Sequence, residues 1–192
     1  MIRPNIFEFK KLIQIGIPIL GSQLSYMLMG TTDTIVAGRA SSLDLAGLGV
    51  GSAIFNTVWF LIAGVIFAVT PIIAQLYGAK KFTEIGIKIR EILWIALLLG
   101  SVVCIVLFFM GDLLFLLPID ESITSISGSY LKALSVGIIF MTIFTALRCY
   151  SEGMTLTRPV FYIAFLGMLL NIPLDIIFVY GYFGVPKLGG VG

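Results

Sequence analysis

Two acidic residues stand inside long apolar stretches of the sequence: Asp33, in MGTTDTIVAGR, and Asp175, in LLNIPLDIIFVYG. A carboxylate at mid-bilayer costs about 2.5–3.5 kcal/mol on insertion scales, so such residues mark ion pathways, proton relays or coupling sites. Asn171 lies four residues before Asp175, which places both on one face of a helix. Pro173 between them cannot donate to the carbonyl of Leu169, leaving that oxygen for a side chain, a water or a cation. Thr31, Thr32 and Thr34 surround Asp33 with hydroxyls. Carboxylate, amide, hydroxyl and carbonyl oxygens are the ligands that hard cations such as sodium prefer, and the same carboxylates would serve a proton. We therefore expect a cation-binding or coupling site, sodium being one occupant, at Asp33, Asn171 and Asp175, with no other metal site.

The elements that position these residues follow from composition. Of 192 residues, 59% are hydrophobic and 11% charged, and mean hydropathy is +1.10. A soluble domain carries about a quarter charged residues. The apolar residues also come in blocks of about twenty, the length that crosses a bilayer as a helix. The expected fold is an all-α, polytopic membrane protein with five transmembrane helices at about 12–37, 52–77, 92–111, 130–151 and 159–183. Residues 39–51 read as a Ser- and Gly-rich turn. Residues 78–91 read as a charged amphipathic linker lying on the membrane surface. Residues 112–128 and 152–159 read as loops, and 184–192 as a turn towards a further helix. The first block, after Lys10 and Lys11, is too long for a signal peptide and reads as a retained helix.

Both acids fall on helices of the same direction. Asp33 precedes Arg39 by six residues, about 9 Å at the helical rise, and Asp175 precedes Gly181 by the same number. They should share one level in the outer half of the bilayer. With the amino terminus cytoplasmic, Arg3, Lys10, Lys11, Lys80, Lys81, Lys88, Arg90, Arg148 and Arg158 fall inside, and Arg39, Lys132 and Lys187 outside. That bias favours this orientation in the cell membrane.

Other residues carry blander readings. Pro18 is a candidate hinge in the first helix, although kinked packing explains it and Pro71 equally well. Gln23, Asn56, Thr57 and Gln75 fit hydrogen bonds between helices. Tyr26, Trp59, Phe60, Tyr130, Phe140 and Phe144 suit core or lipid contact better than a ligand cavity, and Trp94 suits an interfacial anchor. Cys104 and Cys149 read as small packing residues. The sequence has no histidine, which removes His-based zinc sites and Ser-His-Asp chemistry, and no GxxxxGK[ST] loop. Scattered basic residues and a net charge of +2 offer no nucleic-acid surface.

Four segments, MGTTDTIVAGR, TPIIAQLYGA, EGMTLTRP and LLNIPLDIIFVYG with the GGVG that follows, resemble the multidrug and toxic compound extrusion (MATE) family, most closely its NorM-type branch. The resemblance covers nearly the whole chain, as an amino-terminal lobe. It implies five helices of a six-helix lobe, with a carboxy-terminal lobe absent from this sequence. It further implies a sodium- or proton-coupled antiporter that exports cationic amphipathic drugs and needs no cofactor besides the coupling ion. The family's acidic residue in its first helix matches Asp33, and its polar pair in the fifth matches Asn171 and Asp175. An incomplete pair of lobes implies that this stretch alone does not pump. Three other readings compete: a flippase for lipid-linked precursors, which would want basic residues in its cavity; an intramembrane aspartyl protease, whose GxGD context is lacking; and a non-transporting membrane subunit. We expect a transporter and not an enzyme.

Overall fold

The computed structural model describes residues 6–116, 118, 120–184 and 186–191. Arg3, counted in the charge bias, lies outside them, as do Val185 and Gly192 of the tail. Six α-helices follow one another: α1 (Ile6–Ala40), α2 (Ser42–Phe67), α3 (Val69–Gly78), α4 (Phe82–Leu113), α5 (Glu121–Gly153) and α6 (Thr157–Tyr180), with short 3-10 turns at Leu114–Leu116, Tyr182–Gly184 and Gly189–Val191. No strand occurs among the described residues. α2 and α3 together form one span, so five helical segments are long and apolar enough to cross a membrane. The all-α, five-span expectation holds.

Several boundaries move. The stretch from Phe82 to Glu91 is not a surface linker but the first turns of α4, continuous to Leu113. Its charges pair along the helix, Lys81 with Glu84 at 3.0 Å and Lys88 with Glu91 at 2.8 Å, so a helix tolerates them where it leaves the bilayer. The expected turn at 39–51 shrinks to Ser41. This residue is extended (φ −166°, ψ 142°), and its hydroxyl accepts from the Leu43 amide, so that it alone separates α1 from α2. α5 likewise begins at Glu121, where the Asp120 carboxylate accepts from the Ser122 amide at 2.9 Å. The second span breaks at Ala68, with Pro71 in the first turn of α3, where a missing N–H costs little.

α5 is the hub. It packs on α2, α3 and α4 through small residues, as helices do where lipid supplies no hydrophobic drive for association. Gly111 and Gly128 meet so closely that a Cβ on either would lie 2.9 Å from the other's carbonyl oxygen. A Cβ on Gly153 would lie 2.9 Å from Thr70 O. The Ser127 hydroxyl donates to Gly47 O across α5 and α2 at 2.8 Å. Cys149 is buried in this core, as a packing cysteine should be.

α1 and α6 form a second body. They pair along their length, with Gly21 making room for the Phe161 ring, and α1 has no backbone contact with α3, α4 or α5 among the described residues. α1 runs unbroken through Pro18, whose carbonyl accepts from the Ser22 hydroxyl at 2.9 Å. The α1–α6 pair joins the α2–α5 group at the Ser41 turn, at the tight α5–α6 turn and through the tail. The tail does not lead outward. Leu188 N donates to Phe178 O at 3.0 Å, and Gly189 and Gly190 press against Asp44 of α2.

Candidate functional site

The cleft between the two bodies brings the three predicted polar residues together. Asn171 Nδ2 donates to Asp33 Oδ1 at 3.2 Å and to Asp175 Oδ1 at 3.0 Å. One amide thus ties α6 to α1 and places both carboxylates within a side chain's width of each other. The i,i+4 spacing of Asn171 and Asp175 supplies half of this geometry, and the equal depth of Asp33 supplies the rest. All three residues are half-buried.

They open on a cavity of about 230 Å³, lined also by Leu48 of α2, Tyr130 and Leu134 of α5, and Gly190 and Val191 of the tail. Two of its polar atoms, Asn171 Oδ1 and Asp175 Oδ2, are buried without a hydrogen-bond partner. Both are acceptors. No Lys or Arg pairs with Asp33 or Asp175 among the described residues. Two carboxylates tied by one amide, with an oxygen of Asp175 and that of Asn171 left without a donor, are a fitting ligand set for a small hard cation or a proton. No cluster of three or more His, Cys, Asp or Glu side chains occurs among the described residues.

Other expectations fail. Thr31, Thr32 and Thr34 do not join the site. Their hydroxyls donate to the carbonyls of Met27, Leu28 and Gly30 in their own helix, at 2.8–2.9 Å. Hydroxyls in helices readily bond one turn back. Leu169, whose carbonyl Pro173 frees, does not line the cavity. Gln23, Asn56, Thr57 and Gln75 make no bonds between helices among the described residues. All four are exposed, and Thr57 donates to Ala53 O of its own helix.

Tyr130 belongs to the site, against its reading as core or lipid-facing. The missing Cβ of Gly51 makes its place, since a Cβ there would lie 2.6 Å from Tyr130 Cδ1. Gly190 and Val191, which line the cavity from the tail, carried no signal of that role except the glycines themselves. Gly189 has a φ of 59°, a conformation that L side chains rarely take.

A second polar cluster crosses the cleft closer to the α5–α6 turn. Arg148 Nε donates to Glu152 Oε1 at 2.8 Å, with both side chains less than 15% exposed, and the guanidinium sits 5.3 Å from the centre of the Tyr26 ring on α1.

Comparison with known proteins gives the family and the fold. The family model described as MatE matches residues 18–177. The multidrug resistance protein PmpM of Pseudomonas aeruginosa is 37% identical over 96% of this chain, which is 39% of its own length. The multidrug resistance protein NorM of Vibrio cholerae is 36% identical over 96% of this chain and 40% of its own. The chain therefore spans about two fifths of these relatives. Two solved structures share the fold, each with a TM-score of 0.82 over 95% of this chain and 40% of theirs. One is described as an outward-facing multidrug resistance MATE family transporter of the MOP superfamily, 23% identical. The other, 22% identical, is a MOP superfamily transporter from Pyrococcus furiosus whose binding pocket is described as reversed in polarity.

Proposed function

The chain belongs to the MatE family, and from that premise we propose that it forms one lobe of a cation-coupled exporter of cationic drugs, with Asp33, Asn171 and Asp175 holding the coupling sodium ion or proton. One observation carries the reading: Asn171 draws two carboxylates together between apolar helices of membrane-spanning length, with no basic residue to balance them among the described residues. Two adjacent negative charges in such surroundings are costly until a cation or proton joins them. The cavity holds no Lys or Arg, so it suits a cation and not the phosphates of a lipid-linked precursor.

In this scheme the ionised cluster faces outward and receives the coupling ion. Its arrival removes the repulsion between Asp33 and Asp175 and draws α1 and α6 together through Asn171. Pro18 lets the inner part of α1 shift relative to the part that carries Asp33. Drug and ion need not touch. Exchange requires only that each weakens the binding of the other, and that coupling is reciprocal. Gln23, Asn56 and Thr57, polar and exposed on spans, fit a wall that faces a shared cavity completed by a second lobe. The basic bias puts the amino-terminal end on the cytoplasmic face of the cell membrane.

Dye export from an efflux-deficient host tests the scheme with the chain joined to a second lobe. Asp33→Asn should abolish ion-dependent export while membrane insertion persists. Undiminished export by that variant would end this assignment.

A further inference from the structure

A second cavity is larger than the acidic one. It has a volume of about 720 Å³ and lies where α1 starts, α3 ends and α5 turns into α6. Its lining includes Lys11 and Gln14 of α1, Tyr77 of α3, and Thr155 to Pro159 of the turn and α6; no acidic side chain lines it among the described residues. Thr155 makes this possible. Its φ of 63° is the left-handed conformation that usually falls to glycine at a helix end, and it turns the chain sharply from α5 into α6.

Three observations point to an anion. Arg158 makes no ion pair among the described residues, although it is a cation at a helix start, where cations are electrostatically disfavoured. α6 has no side-chain cap: Leu156 stands at the N-cap, so the Thr157 and Arg158 amides lack intrahelical acceptors. The Thr157 side chain is the third. The residue is only 2% exposed and lines the cavity, yet its hydroxyl has no partner among the described residues. Apolar surface adjoins these donors, with Leu156 exposed and Ile15 also lining the cavity.

We propose that this cavity seats the headgroup of an anionic phospholipid from the leaflet on the basic side of the protein. The phosphodiester oxygens accept from the Arg158 guanidinium, the Thr157 hydroxyl and the free amides of α6. The acyl chains lie along α1 and Leu156. Basic pockets between transmembrane helices on the cytoplasmic side suit such headgroups. The site is separate from the acidic cluster and does not depend on the transport reading.

Thermal unfolding of the purified chain, titrated with phosphatidylglycerol, phosphatidylcholine or inorganic phosphate, tests this. Phosphatidylglycerol should stabilise the protein saturably, while phosphatidylcholine and phosphate at matched concentration should not. Arg158→Gln should weaken the half-saturation point about fivefold, the scale of one basic side chain at an anionic surface. Arg158→Lys should keep most of the effect, and the paired control Lys80→Gln with Lys81→Gln should keep all of it. Thr157→Val provides a second arm should Arg158→Gln fail to fold, and should also weaken the response. Equal shifts with phosphatidylcholine, an equal shift with phosphate, or an unchanged response in Arg158→Gln and Thr157→Val would each overturn the proposal. So would a control that loses as much as Arg158→Gln.

Discussion

The cleft between the α1–α6 pair and the α2–α5 group holds polar side chains at two levels, and these are built on opposite electrostatic plans. At one level, the outer one in the orientation proposed from the basic residues, Asp33 and Asp175 share one amide, face a tyrosine and pair with no Lys or Arg among the described residues. At the inner level Glu152 is matched by Arg148, and Arg148 also rests on the Tyr26 ring. The inner cluster is electrostatically closed, so its contribution is to hold α1 against α5, two helices with no backbone contact among the described residues. The outer cluster has no counter-charge among the described residues, and the proposed coupling ion would supply one. Polar residues in a membrane thus divide into those that bind the fold and those that await a ligand. The presence or absence of a counter-charge separates them.

That division can be broken by mutation, beginning with the inner cluster. Glu152→Gln leaves Arg148 largely buried without its partner and should cost roughly 3 kcal/mol. Replacing the pair together, Arg148→Met with Glu152→Leu, should restore most of that loss, as apolar exchange of a buried pair often does. Denaturation midpoints of the three variants would measure both effects. Equal losses in the single and double variants would contradict the pairing.

Gly51→Val comes next. The new Cβ meets the Tyr130 ring at 2.6 Å, and overpacking of this kind costs about 1–3 kcal/mol. It should also weaken cation binding by displacing the ring from the cavity, an effect that stability alone would not report. Binding at wild-type strength in a destabilised Gly51→Val would remove Tyr130 from the site.

Neutralising the outer cluster should have the reverse sign. Asp33→Asn and Asp175→Asn each remove one of two unbalanced charges, so the ion-free protein should lose no stability and gain up to about 1 kcal/mol. Stabilisation by the added coupling ion should vanish at the same time. A loss as large as that of Glu152→Gln would make the two clusters alike. The smallest effect belongs to Thr31→Val. Its hydroxyl serves only its own helix, so stability should change by no more than about 0.5 kcal/mol and ion binding not at all.

The sequence made the outer cluster readable because its cues are local or countable. Asn171 and Asp175 are one helical turn apart, and Asp33 and Asp175 stand equally far from their helix ends. It made the inner cluster invisible as a unit, because the reach of Arg148 from α5 to Tyr26 depends on how two helices without backbone contact are held. Tyr130 was misread for a similar reason. Nothing near it in sequence reveals that Gly51, on another helix, leaves it space. The threonines around Asp33 were overread because residue type says nothing about whether a hydroxyl turns to a cavity or to its own helix. The start of α4 was missed because its alternating charges resemble a surface linker, although Lys–Glu pairs at i,i+3 equally support a helix leaving the bilayer.

The carboxyl groups themselves offer the most direct test. Infrared difference spectra of the purified chain, recorded as pH is lowered and as sodium is added, report protonation and cation contact at buried acids. The account predicts a carboxyl signal in the wild type that responds to one of these ions and is missing when Asp33→Asn and Asp175→Asn are combined. An identical response in that double variant would show that the ion binds elsewhere and would contradict the account.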